Sequence, residues 1–324
     1  MLRSLLAFAF LAALQPWAGA QDAFPSKPVT IIVPFAAGGP MDKLARELSE
    51  PMRNQLRQPI VVQNLSGSGG NVGTMLAARA APDGYTLLMG HIGMATSPAL
   101  YRHLGFKPET DFEPLGVIVE TPLALVVRPQ ILAASAGDLI RWIARQPQVK
   151  LANAGVGSGS HLCGLLLQSS LKVSMTTVPY RGTAPAMTDL LGGHVDLLCD
   201  LTPNVVPQMA GGKLKALMVT TPKPLGGTSL ASVPTAASFG LPDVELTIWF
   251  ALYAPKGTPP AVQKRLNDAM QVAMAHPEFT KAQALAGIQV VRDERRTPDG
   301  HRAFLRKETA RWTPIIKAAG VYAD

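Results

Sequence analysis

The chain has 324 residues, 47% of them hydrophobic, and a formal net charge of +8. That length holds two hydrophobic cores of ordinary domain size. The charge does not make a nucleic-acid protein: basic residues are dispersed, and Asp293 and Glu294 interrupt their densest group, Arg292, Arg295 and Arg296, so no positive face for a phosphate backbone results. Small anionic molecules suit such a mild positive balance equally well and demand less.

The first element is an export signal. Arg3 precedes an apolar stretch carrying Leu5, Leu6, Phe8, Phe10, Leu11 and Leu14, and Ala18-Gly19-Ala20 supplies small residues before a cleavage point. Residues 1–20 therefore read as a signal peptide cut after Ala20. The apolar run falls short of the ~20 residues that span a bilayer, and no lipid-accepting cysteine follows it. A mature chain free in solution in an export compartment is the expectation. In an oxidising compartment the two cysteines, Cys163 and Cys199, are a disulfide candidate.

From Val29 onward, short apolar runs alternate with amphipathic stretches. Val29 to Val33 reads as a buried strand; after Ala36-Ala37-Gly38-Gly39, Leu44, Leu48 and Met52 recur at helical spacing, with Pro40 in the first turn. Ile60 to Val62 is a second strand, leading through Gly67-Ser68-Gly69-Gly70 into a helix with Val72 and Leu76, and Tyr85 to Met89 is a third. The rhythm then restarts. Leu123 to Val127 reads as a strand, and Ser135 with Asp138 caps a helix. Val149 to Ala152 precedes a glycine- and serine-rich turn and a helix with Leu162 and Leu165. Met175 to Val178, Val195 to Cys199 and Leu214 to Val219 complete a second set of strands, with a short helix at Pro203 to Met209. Pro222 to Pro242 looks like a long surface connection; Leu246 to Ala254 is extended, and helices follow from Pro260 and Pro298.

This alternation predicts α/β architecture with mostly parallel sheets. Residues 21–123 form the first part of lobe 1, 124–244 form lobe 2, and 245–324 return to pack mainly on lobe 1. Two crossings between the lobes imply a hinge and a cleft.

The common catalytic signals are missing. None of the six histidines belongs to an H-E-x-x-H pair or a metal-like spacing, and there is no G-x-S-x-G elbow. Gly67, Gly69, Gly70 and Gly73 do not spell a dinucleotide loop. His161, at a helix start beside Ser158 and Ser160, is the best catalytic suspect, but nothing in the sequence is placed to orient it.

Three segments do combine flexible backbone with a helix start: Ala36 to Met41, Ser66 to Asn71 and Gly155 to His161. Free N–H groups and the helix field favour an anion there, and small residues let it come close. Tyr180-Arg181-Gly182-Thr183 is a fourth candidate. Arg181 suits a ligand anion or an ion pair with Asp189 or Asp196; Thr183 suits a helix cap or the cleft; Asp200 suits a ligand amine or its own loop.

Read together, these motifs resemble the tripartite tricarboxylate transporter substrate-binding proteins, the Bordetella-uptake-type receptors. The likeness is carried by Pro25-Ser26-Lys27-Pro28 with Ile31 to Gly39, by Val62-Gln63-Asn64 with Gly67 to Gly70, and by Ala81-Pro82-Asp83-Gly84-Tyr85. Gly157 to Leu162, Val178-Pro179-Tyr180-Arg181-Gly182 and Ala254-Pro255-Lys256-Gly257-Thr258-Pro259 extend it. The resemblance implies a periplasmic-binding-protein fold of the type II, Venus-flytrap kind, with two doubly wound α/β lobes joined by a two-strand hinge. It implies a periplasmic, monomeric, non-enzymatic receptor without cofactor, metal or nucleic acid. Such a receptor captures a small organic carboxylate and hands it to integral-membrane permease subunits.

The ligand contacts it implies are Phe35, Ala37, Gly38, Gly39, Met41 and Asp42 in the first loop and Ser66, Ser68, Gly69, Gly70 and Asn71 in the second. Ser158, Ser160, His161 and Thr183 oppose them, and His91, Arg181 and Asp200 complete the candidate set on the reading of the residues themselves. The chain departs from the family in carrying Met41 before Asp42, where a threonine is usual, which suggests a less polar or aromatic acid. Leu65-Ser66 replaces a basic residue and proline. Cys163 and Cys199 are a paired departure, which favours the disulfide. An amino-acid receptor and a sensory receptor uncoupled from transport are the alternatives.

Overall fold

The computed structural model describes residues 24–320 and residue 322, so the signal-peptide expectation lies outside the described residues. Lobe 1 begins with β1 (Val29–Val33), α1 (Pro40–Leu56), β2 (Ile60–Asn64), α2 (Asn71–Ala78), β3 (Thr86–His91) and α3 (Gly93–Leu100). The long β4 (Phe112–Val127) then leads into lobe 2. There follow α4 (Ala136–Ala144), β5 (Lys150–Asn153), α5 (Gly159–Leu171), β6 (Thr176–Pro179), α6 (Thr183–Gly192), β7 (Leu197–Leu201), α7 (Thr202–Ala210), β8 (Lys215–Val219) and α8 (Ala236–Phe239). The chain returns through β9 (Thr247–Pro255) to α9 (Pro260–Ala275), α10 (Pro277–Leu285), β10 (Gln289–Val290) and α11 (Pro298–Ala319).

The strands of lobe 1 run in the order β2-β1-β3-β9-β4, with β9 antiparallel to both neighbours. Those of lobe 2 run β6-β5-β7-β4-β8, with β4 as the antiparallel member. β9 and the first part of β4 thus belong to the sheet of lobe 1 and the second part of β4 to that of lobe 2, and both sheets have the same internal order. β1 illustrates why: Val29, Ile31 and Val33 are fully buried, the continuous apolar run expected of a strand covered on both faces.

β4 is the element that joins the lobes. It pairs with β9 as far as Pro122 and with β7 from Leu123 onward. The sequence reading placed a strand only at Leu123 to Val127, because Pro114, Gly116 and Pro122 read as breaks. The register shifts between Pro114 and Gly116 and again between Val117 and Val119; the first of these irregularities takes up Pro114 and Gly116, whereas Pro122 pairs in regular register with Thr247 at the end of the β9 ladder. At the hand-over, Thr220 is a bracket: its N–H donates to Leu123 O at 2.9 Å and its hydroxyl to Leu246 O at 2.6 Å.

Two further expectations are corrected. Residues 222–242 are not a loose surface connection: Leu225, Leu230, Val233, Phe239 and Leu241 are buried, and Thr235 bridges to Val219. α3 was not read as a helix, because Gly93, Thr96, Ser97 and Pro98 are poor helix formers; burial of Met94, Ala95 and Leu100 overrides that preference. α11 packs across α3 and β4. Cys163 of α5 and Cys199 of β7 form a disulfide with Cα atoms 6.2 Å apart.

Candidate ligand-binding cleft

The shared strand order sets equivalent loops facing each other. The loop from β1 to α1 answers the loop from β5 to α5, and those after β2 and β3 answer those after β6 and β7. All lie at the carboxyl ends of parallel strands, where ligands of open α/β sheets sit. Between them is a space of about 480 Å³, its open mouth included. Its walls carry Phe35, Met41 and His91 from lobe 1, Ser158, Ser160 and Thr183 from lobe 2, and Ile248 and Phe250 from β9.

The helix starts on this space are bare. Gly39 is the N-cap of α1 and Pro40 its first residue, so no side chain caps it. Gly182 caps α6 with φ 130° and also contributes no side chain, so Thr183 is the first helical residue and not the cap. α5 differs: Ser158 is its N-cap and accepts from His161 N at 3.3 Å. Ser160 Oγ accepts from Ala154 N at 2.7 Å and shares a 3.1 Å hydrogen bond with Ser158 Oγ. That shared bond uses one of the two hydroxyl protons and leaves the other for the cavity.

Other candidates turn away from the cavity. Asp42 accepts from Gly38 N at 3.0 Å and from Arg46 Nε at 3.1 Å. Burial opposes its charge, but the bonds from Arg46 and Gly38 hold its carboxyl below the usual range. It braces the glycine turn from behind. Ala37 and Gly38 point outward, and none of the three lines the cavity. His161 Nδ1 accepts from Gly157 N at 3.2 Å, and the ring borders a small void beside Asn153 and Gly164, not the cleft. Burial pushes it down to about 4, so it is neutral.

His91 does face the cavity. Its Nδ1 accepts from Gly93 N at 3.1 Å and its ring meets Phe35 edge-on, centroids 4.9 Å apart. Burial drives it down to about 4, only partly offset by the Gly69 backbone, so it too is neutral. Asp200 lies just behind the wall, fully buried, and accepts from Leu201 N at 2.7 Å and Asn204 Nδ2 at 2.6 Å. The Thr183 hydroxyl also bonds to it, while burial pushes the carboxyl up to about 7. Of the two roles open to Asp200, the structure selects fixing its own loop.

The second glycine loop borders a neighbouring space instead. Ser68, Gly69 and Gly70 line a cavity of about 620 Å³, its open side included, together with Tyr101, Tyr180 and Arg181. Ser66 and Asn71 line neither space; Asn71 Oδ1 accepts from Ser97 Oγ at 2.9 Å, while its Nδ2 is buried without a hydrogen-bond partner among the described residues. Here the lobes touch: Tyr101 Oη donates to Val156 O at 2.8 Å, and a Cβ on Gly69 would lie 1.8 Å from that same carbonyl. This is a closed arrangement that only glycine permits.

The sequence reading missed Ile248 and Phe250. Once β9 is known to cross between lobes, its two-residue alternation identifies them: Trp249 and Ala251 face the other side. Among the described residues no group of three or more potential metal ligands occurs.

Fold and cleft together define the class: a two-lobed periplasmic binding protein with its site between the lobes. Residues 44–321 match the family described as the tripartite tricarboxylate transporter family receptor, and the chain belongs to it. Its members are solute receptors, not catalysts. The periplasmic binding protein BugD is 41% identical, with a TM-score of 0.88 over 92% of this chain and 99% of its own. MatC of Rhodopseudomonas palustris, solved with malate, is 36% identical, with a TM-score of 0.86 over 90% and 100%. A second R. palustris protein, solved with adipate, is 32% identical, with a TM-score of 0.86 over 92% and 99%.

Proposed function

We propose that this protein is a periplasmic receptor that closes on a small carboxylate and delivers it to the membrane subunits of a tripartite-type permease. The observation that carries this reading is the convergence of two helix starts without side-chain caps, α1 and α6, and the Ser158–Ser160 pair on one interlobe space. Backbone amides and a hydroxyl suffice for a carboxylate there, because helix fields favour negative charge and the low-dielectric walls strengthen each bond.

No Asp, Glu, Lys or Arg side chain lines this space. An amino-acid ligand would need an acid for its ammonium group, and Asp200 is committed to Leu201, Asn204 and Thr183. That favours a simple organic acid over the amino-acid alternative. Malate in one relative and adipate in another support the same class. Met41, Ile248 and Phe250 give the space an apolar side, suited to the carbon chain of the ligand.

Calorimetric titration of the mature protein with malate, succinate and adipate tests the reading. One-to-one binding of at least one acid at micromolar Kd or tighter is expected, with no binding of aspartate or glutamate under the same conditions. Tight amino-acid binding with no response to the acids would contradict it.

A further inference from the structure

We infer that a proton enters with the ligand: Asp200 takes it up, which turns the Thr183 hydroxyl from a donor to Asp200 into a donor to the ligand carboxylate, so that affinity falls as pH rises. Asp200 is thus a positioning residue that acts through Thr183. The inference rests on the carboxylate reading above.

The geometry joins both residues to one point of the cleft. Thr183 is the first residue of α6 and lines the interlobe space, and its Oγ1 lies 4.0 Å from where a Cβ on Gly39, the N-cap of α1, would stand. The hydroxyl therefore sits between the two bare helix starts. Behind it Asp200 is fully buried against Leu201 N, Asn204 Nδ2 and this hydroxyl. An ionised carboxylate only accepts, so Thr183 must give its one proton to Asp200 and shows the cleft only lone pairs, which repel a carboxylate. A protonated Asp200 has an O–H of its own to place. The Leu201 amide cannot accept it and Asn204 presents its nitrogen, so the acceptor is Thr183 Oγ1, whose proton then points into the cleft.

The charges make the same demand. No Lys or Arg side chain lines the space, so a ligand carboxylate and an ionised Asp200 would be two like charges in one dry site with no cation between them. Such a pair is relieved when one member takes a proton. Burial already holds the Asp200 carboxyl at about 7, and a ligand beside it raises it further. The titratable groups on the elements packed against β7 are engaged elsewhere. Glu113 and Glu120 of β4 ion pair with Lys256 and Arg295, and Asp196, just before β7, pairs with Arg128. Asp189 of α6 accepts from Tyr180 Oη, Lys150 of β5 is exposed, and His161 of α5 is neutral beside its own void. α7 carries no titratable side chain. Across the cleft, His91 is neutral above about 4 and Asp42 is paired with Arg46.

The test is calorimetric titration of the mature protein with malate, succinate and adipate between about pH 6.5 and about pH 8.5. Each point is repeated in two buffers of different ionisation enthalpy, so that the protons taken up are counted. For any acid that binds, the wild type should take up protons, most strongly above pH 7, and lose affinity at least about threefold across the range. Asp200→Asn, which cannot titrate and always has an N–H to donate, should lose both effects. Thr183→Ser should keep both, and Thr183→Val should lose most of the uptake. A wild type that binds without proton uptake, or uptake that persists undiminished in Asp200→Asn or Thr183→Val, would overturn the relay while leaving a carboxylate receptor. A protein that binds none of the three acids at any pH would overturn the functional reading and the relay with it.

Discussion

Asp200 is the single residue whose environment carries the clearest solution signature. Its carboxyl is fully buried behind Thr183, and burial raises it from an ordinary value of 3.8 to about 7. The unfolded side chain releases its proton near 3.8 and the folded one only near 7, so between those values the unfolded state binds fewer protons and stability falls as pH rises. The contribution is fully present below about pH 4 and is lost by pH 7. Asp42 and Glu113, whose carboxyls are held low, work in the opposite sense at acid pH and cancel when wild type is compared with Asp200→Asn. The stability of wild type relative to Asp200→Asn should therefore decline across that window in urea melts at a series of pH values. A flat difference would show that Asp200 ionises normally. The sequence could not choose between a ligand role and a loop role for this residue, because the choice depends on Asn204 and Thr183 pointing at it. The same limit applied to Arg181, whose supposed partners Asp189 and Asp196 are claimed by Tyr180 and Arg128 only in three dimensions.

At the scale of elements, the Cys163–Cys199 bridge ties α5, which carries Ser158 and Ser160 at its start, to β7, which leads into Leu201 on the cavity wall. The loop it closes spans 36 residues, for which a stabilisation of about 2–4 kcal/mol follows from the lost freedom of the unfolded chain. Cys163→Ala/Cys199→Ala should lose stability of that order in chemical denaturation, and an unchanged midpoint would show that the bridge contributes nothing. The pairing was legible as a candidate from the even count and the export signal. Strands and helices with clean periodicity were equally legible: β1, α9 and α11 begin and end where the apolar pattern says. β4 was half hidden, since Pro114 and Pro122 normally end strands; here Pro114 sits at a bulge and Pro122 at the last pair with β9. α3 was hidden because its helix is imposed by burial and not by propensity. Ile248 and Phe250 were invisible as site residues until the crossing of β9 fixed which of its faces lines the cleft.

For the whole molecule, the two lobes repeat one strand order and present equivalent loops to each other, so that three glycine-bearing turns, those before α1, α5 and α6, surround one space. The lobes meet through backbone at Gly69 and Val156 and through the Tyr101 hydroxyl, contacts that exist only when the cleft is shut. In the absence of charged walls, closure itself supplies the low-dielectric surroundings in which a few amides can hold a carboxylate. A crystal structure of the complex with the tightest-binding diacid tests this most directly. One carboxylate should lie between the starts of α1 and α6 within hydrogen-bond reach of Ser158 or Ser160. A diacid bound outside the space between Met41, Ser158 and Thr183, or with its second carboxylate buried against Ile248 and Phe250, would contradict it.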